Sequence, residues 1–307
     1  MEYINRSCFI CEYKSFKGSE VCAPLPAELL SFDQLKAQWN GFFNDEVKTK
    51  AFFSYHRCSN CQVLFCPTFF SGEQLSSLYE NMADNTANVE LQLLKKTQRG
   101  YFQCLNKHLQ AVGGDYFEMG PDIGLFTENV RDAKKFDHFW LAEPNKAVWT
   151  TLKEKLNTQP HYIFSDLLID DPITTNTVGA AVMIHVLDHL LDPLETLCHL
   201  RSKMKKNAIL LTVTHDESSL LAKALNHRWP AYCLQHPQLY NPTSINYLLK
   251  KAGFNVLEIK KSYNHFPLGY LLNHLLWAAG IRKMTFPSMN SLQIPLKLGN
   301  IITVAST

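Results

Sequence analysis

Residues 117–126 read Phe117-Glu118-Met119-Gly120-Pro121-Asp122-Ile123-Gly124-Leu125-Phe126, and the fold turns on them. A short apolar run stops at one glycine, and a second glycine four residues later opens a helix-like run. Gly120 permits the tight turn that leaves a strand, and Gly124 lets a helix begin close to a ligand, where its first amides point. Working outward, Gly113-Gly114 precede the run DYFEM. After it, short apolar runs alternate with helical patterns: HFWLAE, HYIFSD, VGAAVMIHV, AILLTVT, NVLEIKKS and NIITVAS. Seven strands separated by helices predict a doubly wound, Rossmann-like α/β sheet. Open parallel sheets bind ligands at the carboxyl ends of their strands, so the loops after the first four strands are where a site is expected.

The second strand ends in Leu141-Ala142-Glu143-Pro144. An acidic residue about 20 positions beyond a glycine loop is placed to accept hydrogen bonds from two ribose hydroxyls. The third strand closes with Ser165-Asp166, a carboxylate suited to an adenine amino group. A nicotinamide site is expected to show Gly-x-Gly-x-x-Gly, and here Asp122 stands where the middle glycine would be, which argues against hydride transfer.

The chain has 307 residues, 46% hydrophobic and 19% charged, enough for a sizeable core, with a formal net charge of +2 and no block of basic residues. That charge pattern gives no footprint for nucleic acid or an anionic membrane, and a small acceptor fits better. No apolar run reaches the ~18 residues of a membrane span, and the start MEYINRSCFICEY has neither a basic n-region nor an h-region, so a cytoplasmic protein is expected. The sequence carries no signal for oligomeric state.

Six of the nine cysteines lie in the first 66 residues, and most should stay reduced in a chain of this kind. Cys8-x-x-Cys11 and Cys58-x-x-Cys61 supply four thiolates, the usual ligand set of a structural zinc ion. Cys22 and Cys66 are spare and either could replace a named ligand, whereas Cys104, Cys198 and Cys233 read as ordinary buried residues. The spacing predicts a zinc-binding module over 1–71, linking helices over 72–112 with Leu75, Leu78, Leu91, Leu94 and Leu105 at helical intervals, and the α/β domain over 113–307.

With these residues in place, the sequence resembles the class I methyltransferases. Their glycine loop looks like Glu118 to Gly124, and their segment HVLEHLxDP after the fourth strand appears as His185-Val186-Leu187-Asp188-His189-Leu190-Leu191-Asp192-Pro193. Residues 248–254 and 298–304 match as well. The family commonly has a glycine-rich turn where this chain has Lys205-Lys206-Asn207 before the fifth strand. The resemblance implies S-adenosylmethionine as cofactor, bound by Glu118, Gly120, Gly124, Glu143, Asp166 and His185. Residues 56–65 with Leu78-Tyr79 further resemble the zinc-binding segment that precedes sugar C-methyltransferases, which act on nucleotide-linked deoxysugars.

Methyl transfer from a sulfonium leaves the protein to align the acceptor, exclude water and, where needed, remove a proton, and histidine suits that last task. His185, His189, His215 and His236 all fall in loops at predicted strand ends. Sugar C-methyltransferases resemble this chain in a histidine after strand four, matched by His189. Their Tyr-x-Glu-His segment after strand five aligns with Cys233-Leu234-Gln235-His236, where the histidine alone is retained. His236 is therefore the expected base and His189 its neighbour. His185-x-x-Asp188-His189 also resembles the Glu-x-x-Glu-His metal cluster of some O-methyltransferases. With both glutamates replaced, a helix-start carboxylate and a packed histidine account for it, and no catalytic metal is expected there. Two other readings stand beside the enzyme: a non-catalytic binding or scaffold protein of the same fold, and an RNA methyltransferase, against which the lack of basic and aromatic clustering speaks.

Overall fold

The computed structural model describes residues 3–13, 18, 20–39, 50–79, 91–110, 112–169, 171–269, 272, 293–297 and 299–307. The N-terminal part is built from short strand pairs, Ile4–Asn5 with Thr68–Phe69 and Leu25–Pro26 with Ala51–Phe52. Helices α1 (Phe32–Gln38) and α2 (Gly72–Tyr79) start alike. Ser31 and Ser71 each exchange hydrogen bonds with a glutamine three residues on, Gln34 and Gln74, so that the first turn's orphan amides are satisfied. A three-stranded sheet joins His56–Arg57 and Leu64–Phe65 to Gln238–Leu239 from the far end of the chain.

Helix α3 (Leu91–Asn106) buries Leu93, Thr97, Tyr101 and Leu105. The leucine spacing points instead to Leu91 and Leu94, yet Leu91 is exposed. Polar anchors turn the helix: the Tyr101 hydroxyl donates to Asn264 Oδ1 at 2.7 Å, and the His265 amide donates to Thr97 Oγ1 at 3.0 Å. The hairpin that supplies them, Asn264–Pro267 against Gln293–Leu296, has no counterpart in the sequence reading.

The central sheet has the seven expected strands: β1 (Asp115–Met119), β2 (Phe139–Ala142), β3 (His161–Phe164), β4 (Val178–Ile184), β5 (Met204–His215), β6 (Asn255–Lys261) and β7 (Asn300–Ser306). Their order in space is β3-β2-β1-β4-β5-β7-β6, with β7 antiparallel to both of its neighbours and the other pairings parallel. Successive residues face opposite sides. Phe117, Ala181, Met183, Leu210 and Ile301 pack under α6 (Pro193–Lys203) and α7 (Pro242–Lys251). Tyr116, Ala180, Val182, Leu211 and Ile302 pack under α3, α4 (Leu125–Asp132) and α5 (Trp149–Leu156). Burial on both faces is why β4 reads as an unbroken apolar run rather than an alternation.

The strand order reverses between β1 and β4, and the carboxyl ends of these strands are the switch point of the sheet, where open α/β sheets place their ligand crevice. Asn207 takes φ 60° within β5, at the irregularity between its Met204 and Ile209 pairings with β4, so asparagine does there what glycine commonly does. Of the three cysteines expected to be buried, Cys233 is, Cys104 is half-buried and Cys198 is exposed. Cys198 falls outside the buried stripe of α6, which runs through Pro193, Thr196, Leu197 and Leu200. Among the described residues no helix is long and apolar enough to cross a membrane.

Candidate cofactor crevice, histidine cluster and cysteine centre

Gly120 and Gly124 both take left-handed backbone, φ 68° and 74°. A methyl group on Gly120 would stand 2.8 Å from Val186 Cγ2, and one on Gly124 would stand 2.9 Å from Leu152 Cδ2. The left-handed backbone therefore favours glycine at both positions, and an added methyl group would also have to displace a neighbouring side chain. Asp122 between them also has φ 50°, and its amide donates to Glu143 Oε2 at 2.9 Å. The other Glu143 oxygen accepts from the Asn145 amide at 2.8 Å. Glu143 thus ties the loop after β1 to the loop after β2. Burial pushes its carboxyl up to about 7, against the pull of those two amides.

Glu118 lies beneath this surface. Its Oε2 accepts from the Tyr116 hydroxyl at 2.8 Å and from Thr127 Oγ1 at 2.7 Å, and burial raises this carboxyl also to about 7. The contacts brace β1 against α4 and support the glycine loop from behind. Asp166, after β3, spends Oδ1 on the amides of Leu168 and Ile169, at 2.7 and 3.2 Å, and so caps the turn that follows it.

Across the crevice, the loops after β4 and β5 gather four histidines. The ring centroids of His185 and His215 are 4.6 Å apart, those of His215 and His236 4.9 Å, and those of His189 and His236 4.5 Å. Asp188 sits at the base, fully buried, and its Oδ2 accepts from the His215 amide at 3.2 Å and meets His215 Nδ1 at 3.0 Å. Despite burial, His215 and its neighbouring imidazoles hold the Asp188 carboxyl well below the usual carboxylate range. Burial lowers all four histidines, so each favours its neutral form. His236 Nδ1 faces the Ala231 carbonyl at 2.7 Å, with Cys233 Sγ at 3.4 Å. His189 Nδ1 faces the Tyr79 hydroxyl at 3.1 Å.

The segment leading to His236 is a buried wall. Trp229, Ala231, Tyr232 and Leu234 share a core with Trp39, Phe52, Tyr55 and Phe70 from the N-terminal part. The Tyr55 hydroxyl donates to the His236 carbonyl at 2.7 Å. Arg6 donates to Leu191 O and Gln238 Oε1, at 2.7 and 3.0 Å, and Gln238 in turn donates to the carbonyls of Leu187 and Leu190. Sequence reasoning missed Arg6, Gln238 and the pairing of Asp188 with His215. No local spacing announces contacts that depend on strand order.

Cys8, Cys11, Cys58 and Cys61 converge, with Sγ separations of 3.4 Å for Cys8 to Cys61 and 3.5 Å for Cys11 to both Cys8 and Cys58. Sulfurs ~2.3 Å from one tetrahedral ion lie about 3.7 Å apart, so the four thiols fit a metal of that kind with small adjustments. The two knuckles are built alike. Glu12 N donates to Cys8 O at 2.8 Å and Gln62 N to Cys58 O at 3.1 Å, and Glu12 and Gln62 both have positive φ, 56° and 65°. Cys22 and Cys66 lie outside the group, the first exposed and the second buried against the Phe53 carbonyl.

A family model for the methyltransferase domain matches residues 93–259, more than half of the chain. No curated protein matches. Among solved structures, an S-adenosylmethionine-dependent methyltransferase of Aquifex aeolicus is 13% identical, over 71% of this chain and 93% of that one, with a TM-score of 0.48. A Bacillus halodurans protein classed as a methyltransferase is 10% identical, over 68% and 98%, with a TM-score of 0.49. An S-adenosylmethionine-dependent methyltransferase of Leishmania major is 14% identical, over 70% and 72%, with a TM-score of 0.44.

Proposed function

The chain belongs to the methyltransferase domain family and is an S-adenosylmethionine-dependent methyltransferase, and from that premise we propose that it methylates a small molecule, a nucleotide-linked sugar or a related metabolite. The observation that carries this reading is the contact of His236 with His189 beyond the carboxyl ends of β5 and β4, on the same edge of the sheet as the glycine loop that follows β1. A neutral His236 that donates Nδ1–H to the Ala231 carbonyl has Nε2 as its acceptor atom. With the Tyr79 phenol donating to its Nδ1, His189 carries its proton on Nε2. The two rings then offer one acceptor and one donor to a substrate hydroxyl or activated carbon.

Glu143 would hold the cofactor's ribose hydroxyls, Asp166 its adenine and the turn of Gly120 and Gly124 its amino-acid portion, with His185 as a further contact. When bound, the cofactor would supply a methyl group already activated on a sulfonium, which passes to the acceptor as the sulfur leaves with the bonding electrons. Where the acceptor has a proton to lose, His236 Nε2 would take it. His189 orients the acceptor. Cys8, Cys11, Cys58 and Cys61 would hold one structural zinc ion, and four thiolates leave it no open position for catalysis. Residues 1–71 form the zinc-binding module, 72–112 the connection and 113–307 the catalytic domain. Incubating the purified protein and S-adenosylmethionine with pooled metabolites and nucleotide sugars, and following by mass spectrometry which compound gains one methyl, tests the reading. Cofactor binding with no methylated small molecule in any pool counts against it.

A further inference from the structure

Asp188 is the most enclosed charged group of the histidine cluster, and its two oxygens are used unequally. Oδ2 takes both the amide and Nδ1 of His215, whereas among the described residues Oδ1 has no hydrogen-bond partner. His185 Nδ1, 3.9 Å from Oδ2, is likewise buried without one. Buried polar atoms in folded proteins are almost always satisfied, so a carboxylate oxygen and an imidazole nitrogen left open side by side need an explanation. A simple His215–Asp188 hydrogen bond accounts for neither.

We propose that His185 Nδ1, Asp188 and His215 Nδ1 form a second metal site, which takes one divalent first-row transition ion at the carboxyl ends of β4 and β5. The three ligand atoms all lie within 4.8 Å of one another, and the tightest pair is 3.0 Å apart. Ligands at ~2.0–2.2 Å from one ion sit about 3–3.5 Å from each other, so a small rotation of His185 closes the set. Two imidazoles and one carboxylate select manganese, iron, cobalt, nickel or zinc over calcium or magnesium, and they leave coordination positions open. The Asn300 amide stands 3.4 Å from His185 Nε2. With its oxygen turned to the ring, it accepts the Nε2 proton and leaves Nδ1 to the ion, the outer contact that metal-bound histidines usually have.

His189 has no part in the site. The sequence segment His185-x-x-Asp188-His189 looks like a ligand run, but the third ligand comes from the end of the neighbouring strand and His189 is turned to Tyr79. The role of the ion rests on the reading of the crevice as the acceptor site: its open positions face a substrate oxygen there and would hold it beside His236. Binding of the ion itself does not depend on that reading.

The test uses the full chain with its cysteine-bound metal in place, dialysed against Mn2+ or Co2+ and assayed for metal content, with Mn2+ paramagnetic resonance as the second readout. We expect one additional ion per chain, with nitrogen coupling from histidine. His185→Gln and His215→Gln should each weaken its affinity by at least ~10-fold, and the cysteine-bound metal should be unchanged. Asp188→Asn should abolish it. Because that carboxylate is wholly buried, the half-buried His185 carries the decision if the Asp188 variant misfolds. No second ion at millimolar free metal, or a second ion retained by His185→Gln and His215→Gln alike, overturns the site. S-adenosylmethionine affinity, measured by calorimetry on the same samples, separates the two ideas. Cofactor binding without the second ion ends this proposal alone, and the ion without cofactor binding supports the site while removing the reading of the crevice.

Discussion

Glu143 holds the loops after β1 and β2 together, so its loss should be read in cofactor affinity. Glu143→Ala should weaken S-adenosylmethionine binding by about ten- to a hundredfold, the scale of losing a charged acceptor worth ~1.5–3 kcal/mol. Calorimetry on parent and variant checks it, and equal affinities would take Glu143 out of the site. Glu118 is raised from the usual 4.5 to about 7 by burial. The folded state therefore holds this proton more tightly than the unfolded chain does, and the stability so gained is present below about pH 4.5 and lost as pH rises through 7. Glu118→Gln should remove that slope. Melting temperature against pH should fall more steeply for the parent than for the variant between 4.5 and 7, and parallel curves would reject the shift. For His236 the sign is reversed, because burial lowers its pKa and the neutral base persists below pH 6.5. His236→Ala should cut turnover by ~10²–10⁴ with cofactor affinity intact, and the acid limb of the parent's rate should lie below 6.5. Full turnover in the variant would leave alignment as the source of rate. The placement of Glu143 beside the glycine loop was legible from their separation in sequence, because a strand, turn and helix of ordinary length fix that interval. The Asp188–His215 contact was not, since it arises only once β4 and β5 are neighbours.

The elements were legible where one periodicity dominates. All seven sheet strands announce themselves as apolar runs, and the two Cys-x-x-Cys pairs as knuckles. Helix α3 shows what defeats such a reading: its buried face is chosen by Thr97 and Tyr101, whose polar groups bond a distant hairpin, and leucine spacing alone points to the wrong side. The knuckles carry a strain of their own. Glu12 is exposed and holds a left-handed conformation that costs a side-chain residue roughly 1–2 kcal/mol. Glu12→Gly should therefore raise the melting temperature by about 2–4 °C without altering bound metal. A scanning-calorimetry trace that stays in place or moves down would show that the Glu12 side chain offsets its backbone.

At the scale of the whole molecule, the first 71 residues and the acceptor wall share a sheet, a core and the Arg6 and Tyr55 hydrogen bonds. None of this was readable beforehand, because nothing in the run around Leu64-Phe65 says that its partner is Gln238-Leu239. It follows that damage to the cysteine centre should travel. Cys58→Ser should lower zinc content and also speed hydrogen exchange across residues 229–241, and zinc loss with unchanged protection of that segment would show the two parts to be independent. The same sheet also sets an order of events during synthesis. Tyr55 meets its partner 181 residues later and Arg6 meets Gln238 after 232. At ~5–20 residues per second, the N-terminal strands wait on the order of ten to fifty seconds on the ribosome with an open edge and unmatched aromatic surface. Early capture of metal by the two knuckles would shorten that exposure, so zinc supply should govern how much of the newly made chain reaches its native state as well as how stable that state is.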